Sequence, residues 1–363
     1  SDLLLEVPLP STSGFKTVFK NLGKVENKGL EFALNTVNFD NENFGWTTNF
    51  NISFNDNQVL DLGDADQFLV RSIGDNQIQD DYIVKVGESL GSMYGLEVDG
   101  IYNYSDFAAF DGLSNEEAAA KVRQDAEDQG LLWYDVVYEL KEGTVLSSGQ
   151  PDNTQYRPGM PKFADQLTVD TNGDGIPDEA DGIVNSDDRK IIGNALPKHF
   201  GGFTNNFRYK NLDLSVITQW SYGNDIYLKS LNKGTAQAIP FLNKYGRVAN
   251  RWTPETPDTD IPSIWGNGDA GINGSAYSSF IEDGSYFRIS NVTLGYELPN
   301  RVKNTIGLKS CRVYAAVDNL HVFTKYSGYD PDVSVGNNQL TPGLDADSYP
   351  RSRTIRLGVS VGF

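Results

Sequence analysis

The sequence predicts an all-β fold, a transmembrane antiparallel β-barrel wall with long loops, and three observations carry the prediction. Apolar and polar residues alternate with a period of two over segments of strand length. The connections between these segments are alternately short and long. Composition favours strands and turns, with 36 Gly, 19 Phe, 18 Tyr and 5 Trp against 2 Met, and no long helical heptad run.

The alternation is clearest at the carboxy terminus. Ile355, Leu357, Val359, Val361 and Phe363 interleave with Thr354, Arg356, Gly358, Ser360 and Gly362, so one face is apolar and the other is what a wet lumen requires. Trp46, Thr48, Phe50, Ile52 and Phe54 repeat the pattern against Thr47, Asn49, Asn51, Ser53 and Asn55, and Leu30, Phe32 and Leu34 repeat it against Glu31 and Asn35. Leu212, Leu214, Val216, Trp220 and Tyr222 oppose Asp213, Ser215 and Gln219, with Ile217 breaking the polar face; Phe203, Phe207 and Tyr209 belong to the preceding strand. Val292, Leu294 and Tyr296, then Cys311, Val313, Ala315 and Val317, give two more. Trp46, Tyr209, Trp220, Tyr222 and Tyr296 fall near strand ends, where an aromatic girdle would sit.

Residues 40–43, 210–211 and roughly 299–307 are tight connections, whereas 56–81, 104–197, 224–283 and 322–351 are long. Outer-membrane barrels have this asymmetry, with short periplasmic turns and long outer loops. Counting segments gives roughly nine strands, a weak one near Tyr82–Val86 among them. On that parity the chain enters from outside and Phe363 ends at the periplasmic rim. An open odd-stranded sheet in lipid leaves unpaired edges, so further strands are expected from an amino-terminal portion. The opening, Ser1 onward, carries no signal peptide and reads like the middle of a protein. A secreted β-sandwich or solenoid also alternates, but rarely inserts a loop as long as 104–197.

The net charge of −19 argues against nucleic acid as a partner. Cys311 is the single cysteine, which excludes an intrachain disulfide and a Cys-based zinc site. His199 and His321 have no partner at metal-ligand spacing, so a hydrogen-bonding role is expected for both. No apolar run reaches the length of a transmembrane helix. Carboxylate pairs abound without one being distinguished, and Gly87–Gly95 lacks the Gly-Lys-Ser/Thr of a phosphate loop, so no enzyme is expected.

Within the 104–197 loop, Ser114 to Glu117 is a capping box that opens a helix ended by Gly130. Residues 170–181 form the sharpest local motif. Asp170, Asn172 and Asp174 stand at loop positions one, three and five before Gly175, the Ile176 carbonyl at seven, Asp178 at nine and Asp181 at twelve. Alternate oxygen donors wrap a hard cation, so a structural calcium is expected. Asp in place of Glu at the last position and the absence of flanking helices point to weak binding, of order 10⁻⁴–10⁻³ M. Asn185, Asp187 and Asp188 either complete the site or stand exposed.

The blocks at 21–34 (NLGKVENKGLEFAL), 86–102 (VGESLGSMYGLEVDGIY), 170–182, 187–227, 285–299 (SYFRISNVTLGYELP), 313–332 and 348–363 (SYPRSRTIRLGVSVGF) resemble, in order, those of SusC/RagA-type TonB-dependent transporters. The resemblance implies a barrel of about 22 strands, of which this chain supplies roughly the last nine. It implies a plug, a TonB box and earlier strands in an amino-terminal segment. It further implies a SusD-like surface lipoprotein as lid, and TonB-driven import of glycan or peptide oligomers. The expected location is the outer membrane, against lipid or lipopolysaccharide, with Phe363 read by the assembly machinery. One departure is the stretch 177–184, inserted after the calcium-type loop, which leaves the last ligand open. A passive porin or adhesin barrel and a soluble glycan-binding β module are the rival readings.

Overall fold

The computed structural model describes residues 2–8, 17–72, 80–146, 153–231, 243–263, 276–335 and 338–363, with side chains from residue 23 onward. Among the described residues, eight strands make one antiparallel meander in sequence order: β1 (Asp2–Pro8), β2 (Thr17–Asp40), β3 (Phe44–Asp61), β4 (His199–Tyr209), β5 (Leu212–Tyr222), β6 (Tyr286–Glu297), β7 (Ser310–Thr324) and β8 (Thr354–Gly362). Each pairs only with its neighbours in the chain, as up-and-down barrels do.

Register puts the alternating residues on two continuous faces. Leu30, Phe54, His199 and Tyr222 are directly opposite one another across four strands. So are Leu214, Leu294, Ala315 and Leu357. This face is apolar, yet Leu30 is 77%, Ile355 70% and Leu357 82% exposed. Exposed apolar area on that scale is unstable in water, and lipid is the solvent it suits. β4 is 11 residues long; at about 3.4 Å per residue and the usual tilt of about 40° it stands roughly 26 Å tall, the height of an outer-membrane apolar band.

Rings mark both borders of that band. At the short-turn end Phe39 stacks on Trp46 and Trp46 on Phe207, with centroids 6.3 and 5.7 Å apart; Tyr209 and Tyr296 lie at the same level. At the far end His199 stacks on Tyr222 at 4.9 Å, and Trp220 donates from Nε1 to His199 Nδ1 at 3.2 Å. The expected girdle residues thus sit at strand ends on the apolar face, and His199 has the hydrogen bond expected of it. His321 instead packs edge-on to Phe323.

The weak segment near Tyr82–Val86 corrects the strand count. Tyr82–Lys85 does not join the meander but pairs with Gln67–Val70 and Ser92–Leu96 in a separate sheet that also holds Lys190–Asn194 and Ala276–Tyr277. Its three buried residues in four, Tyr82, Ile83 and Val84, show why alternation was weak: both faces are covered. With an even count of eight, β1 runs away from the end that carries Phe363, where nine strands would have it run towards that end. The connections 56–81 and 104–197 are accordingly parts of one excursion, 62–198.

The described parts of the excursions 62–198, 223–285 and 325–353 fold together into a cap with cores of its own. α1 (Asn115–Gln129) begins at Ser114, whose hydroxyl accepts from the Glu117 amide while the Glu117 carboxylate accepts from the Ser114 amide, and ends at Gly130 in the left-handed region. Its buried face, Ala118, Val122 and Ala126, packs with Tyr102, Phe107, Tyr138 and Trp252. Trp252 comes from a different excursion, so this core joins two loops. A second core, around Tyr82, Met93, Tyr227, Phe280, Tyr326 and Leu344, draws on all three.

Candidate functional site

The polar face of the wall carries arginine–carboxylate pairs at successive levels. Arg208 on β4 meets Asp40 on β2 at 3.0 Å, and Arg312 on β7 donates from Nε to Asp213 on β5 at 3.0 Å. Asp318 accepts from Arg356 and from Asn291 at 2.7 Å each. Charge-assisted bonds of this kind are the strong ones and fix a wall that faces water. Higher up, Arg288 reaches Asn319 Oδ1 at 2.6 Å and pairs with Asp330, while Arg351 pairs with Asp332 at 2.7 Å. Asn319 takes a positive φ of 51° beside a bulge in the β6–β7 register. The side chain aimed by that bulge ties the wall to the 325–353 excursion.

Above the wall, the cap encloses a cavity of about 380 Å³ where three segments meet. Leu228 and Leu231, both part of the second cap core, form its apolar side. Tyr245 and Arg247 enter from the 223–285 excursion, and Tyr329, Asp345 and Asp347 from the 325–353 excursion. Asp345 is held from both ends: Tyr326 donates its hydroxyl to Oδ2 at 2.6 Å, and Ser348 donates its hydroxyl to Oδ1 at 2.7 Å. Burial drives the Tyr326 phenol pKa upward, so it stays a donor. Asp347 has a φ of 62°. Among the described residues neither Arg247 nor Asp347 makes a hydrogen bond or ion pair.

A further charge cluster lies inside the cap. Asp81 accepts from the Ser72 amide at 2.6 Å and from its hydroxyl, and Lys229 donates to the Ser72 hydroxyl at 2.9 Å. Asp81, Ser72 and Lys229 are all buried. They join the first excursion to the second, a structural tie rather than a reactive group open to substrate. Nearby, desolvation raises the pKa of Asp225, which nevertheless accepts from the Asn194 amide at 2.8 Å.

The positions expected around calcium are held by short-range hydrogen bonds. Asp170 accepts from the amides of Gly173 and Gly175 at 2.7 and 2.8 Å, Asn172 from that of Asp174 at 2.9 Å, and Asp174 from that of Ile176 at 2.8 Å. These bonds curl the backbone through Gly173 and Gly175, both at positive φ. Asp178 closes the loop back on its start, accepting from the Thr171 amide and hydroxyl at 2.8 and 2.9 Å, and Asp181 accepts from the Ile183 amide at 2.9 Å. Among the described residues no three His, Cys, Asp or Glu side chains converge on one metal position. The side chains of Asp170, Asn172, Asp174, Asp178 and Asp181 all accept hydrogen bonds from residues 171–183 in this structure. Asp188 does not join them; buried, it accepts from the amides of Gln166 and Asn185 and anchors the following turn.

Comparison with known proteins places these features. Over 371 aligned residues, all of this chain and 31% of the relative, the sequence is 33% identical to TonB-dependent receptor P3 of Formosa agariphila. It is 27% identical to TonB-dependent receptor SusC of Bacteroides thetaiotaomicron over 367 residues, again all of this chain and 29% of that protein. The solved structure of the RagAB peptide transporter matches the whole chain with a TM-score of 0.68, at 20% identity and over 32% of that chain, a likeness of fold. The chain spans about a third of the length of the curated relatives it matches. No model of a protein family matches it.

Proposed function

The chain is, over its whole length, a homologue of the C-terminal barrel part of TonB-dependent receptors that include SusC, and from that premise we propose that it forms one side of an outer-membrane pore for TonB-dependent nutrient import. The end-to-end match at 33% identity is the observation that carries the reading. The two-faced wall supports it: apolar side chains suit lipid, and paired charges suit a wet lumen. In this reading the two open edges of the meander are closed by the rest of the barrel, because unpaired backbone in lipid is not stable. A plug and a TonB-contacting segment belong to that remaining part, and the short turns and Phe363 lie at the periplasmic side.

The finer reading is import of oligomers, glycans or peptides, as the SusC-like half of a pair with a SusD-like lipoprotein lid. The capped pore favours this over a passive porin or adhesin, since three excursions packed into shared cores form a built lid-facing surface rather than open loops. Transport, not catalysis, is the proposed activity. A weak structural calcium held by Asp170, Asn172, Asp174 and the Ile176 carbonyl is proposed separately; when bound it would cross-link the turn between the paired strands Leu167–Val169 and Glu179–Ala180.

The test is uptake by cells carrying the intact receptor, with and without TonB. Loss of uptake without TonB is expected. Uptake that persists without TonB identifies a passive barrel, and release of the intact protein from membranes without detergent identifies a soluble module.

A further inference from the structure

We propose that the connection between β6 and β7 seats an anionic phospholipid of the periplasmic leaflet. Its phosphate lies on Arg301, Lys309 and Lys210, and its acyl chains lie against Val302, Ile306 and the row of the apolar face nearest the short turns. The inference rests on the reading that places those turns at the periplasmic side.

Charge singles out this connection. Residues 298–310 carry Arg301, Lys303 and Lys309 with no Asp or Glu, in a chain whose net charge is −19. A short helix, α2 (Asn300–Thr305), shapes the turn. Lys303 is taken up by the fold: it is buried and donates to Glu297 Oε1 at 2.9 Å. Arg301 and Lys309 are exposed, and among the described residues neither side chain has a hydrogen bond or ion pair.

A third cation comes from the neighbouring turn. Asn211 donates from Nδ2 to the Glu297 carbonyl at 2.8 Å, and the Glu297 amide donates to the Asn211 carbonyl at 2.9 Å, so Lys210 stands beside the connection. Its ammonium lies 5.5 Å from the ring centre of Tyr209, at the aromatic border. Asp40, Asp213 and Glu297 at this end are already paired with Arg208, Arg312 and Lys303. Against Lys210, Arg301 and Lys309 stands Glu42, without a side-chain partner among the described residues, so the local excess is positive.

The apolar half adjoins these charges. Tyr209, Leu212, Tyr296 and Val313 are directly opposite one another across four strands, all exposed on the apolar face. Val302 and Ile306, 43% and 54% exposed, carry apolar surface past the strand ends. A free phosphate would meet the cations and leave Val302 and Ile306 in water. A phospholipid satisfies both halves, and it is continuous with the lipid that the wall requires. Cations on long stems beside apolar residues hold anionic head groups at a membrane interface in this way.

The experiment is native mass spectrometry of the intact receptor in detergent, titrated with dioleoylphosphatidylglycerol and dioleoylphosphatidylcholine, with inorganic phosphate as competitor. The receptor should bind the anionic lipid about tenfold more tightly or better. Arg301→Gln with Lys309→Gln, both at exposed positions, should weaken that binding about thirtyfold and leave phosphatidylcholine unchanged. Val302→Ser with Ile306→Ser should weaken both lipids. Equal affinity for the two lipids, or a preference that survives in the charge variant, overturns the site; displacement of phosphatidylglycerol by millimolar phosphate shows a free-anion site and overturns it too. Hydrogen exchange of the parent gives a reading independent of the variants: amides 302–306 should be better protected in phosphatidylglycerol nanodiscs than in phosphatidylcholine ones, and equal protection counts against the lipid. The periplasmic placement is checked separately, since Asn304→Cys should stay unlabelled by an impermeant maleimide on intact cells. Labelling would overturn the placement and the proposal together, whereas a shielded turn with no lipid preference loses the lipid site alone and leaves the import reading standing.

Discussion

Arg288 on the barrel wall ion-pairs with Asp330 in the excursion that follows the next strand, and the arginine side chain is 2% exposed. A buried pair is a weak source of net stability, but removing one partner strands the other. Arg288→Ala should destabilise the intact receptor by about 3 kcal/mol, the low end for such a loss because Arg351 lies 3.8 Å from Asp330 and takes up part of its charge. Arg288→Ala with Asp330→Leu should recover much of that. Unfolding followed by the heat-dependent gel shift of the barrel checks both; equal destabilisation of single and double variants would refute the coupling.

The face assignment predicts opposite outcomes for the same substitution. Leu357→Arg puts a charge mid-strand on the apolar face of β8 and should cost about 2–4 kcal/mol in a bilayer. Asn51→Arg, exposed on the polar face of β3, should be within about 0.5 kcal/mol of the parent. Denaturant unfolding of the receptor in lipid vesicles measures both.

Gly201 has no room for a side chain. A Cβ there would lie 2.5 Å from the Trp220 ring and 2.3 Å from the Asn51 carbonyl oxygen. Gly201→Ala should therefore displace the indole, break its bond to His199 and cost about 1–3 kcal/mol. Altered tryptophan emission together with a lowered melting point is the expected result; parent-like emission would count against the packing described.

The 167–180 hairpin has a pH dependence with a defined sign. Hydrogen bonds from the Gly175 amide to Asp170 and from the Thr171 amide to Asp178 lower both carboxyl pKa values. A lowered folded-state pKa gives stability that is complete above the ordinary carboxyl range, about 3.9, and is lost as pH falls through the folded value. Protection of the Gly175 and Thr171 amides from exchange, taken relative to the intrinsic rate at each pH, should therefore hold from pH 7 to 5 and fall only in stronger acid. Calcium at millimolar concentration should slow exchange across 170–176 and leave 178–181 unaffected; slowing over the whole loop would show that Asp178 and Asp181 also move to the metal.

Much of the wall was legible in the sequence because a strand in lipid obeys one local rule, alternation, and the register between neighbours preserves it. Leu212–Tyr222 and Thr354–Gly362 were read from their own residues alone. The helix was legible for a similar reason, since Ser114, Glu117 and Gly130 act within a turn of the chain. Tyr82–Lys85 was read as a weak strand and is one, but its place outside the wall was not legible, because the residues that cover it, Val25 and Val59 on one side and Tyr227 and Leu344 on the other, come from distant parts of the chain. The cavity was invisible too: Leu231, Tyr245 and Tyr329 meet only through tertiary packing, and no spacing joins them. Position 347 left a faint trace at most, as an aspartate in a Gly, Asp and Ser-rich turn.

The measurement that tests the central claim most directly is a nitroxide scan along β8 of the intact receptor in lipid, reading accessibility to oxygen and to a water-soluble nickel chelate. Labels at Ile355, Leu357 and Val359 should favour oxygen and those at Arg356, Gly358 and Ser360 the chelate, alternating residue by residue. Uniform accessibility, or the opposite phase, would contradict a wall with lipid on one side and water on the other.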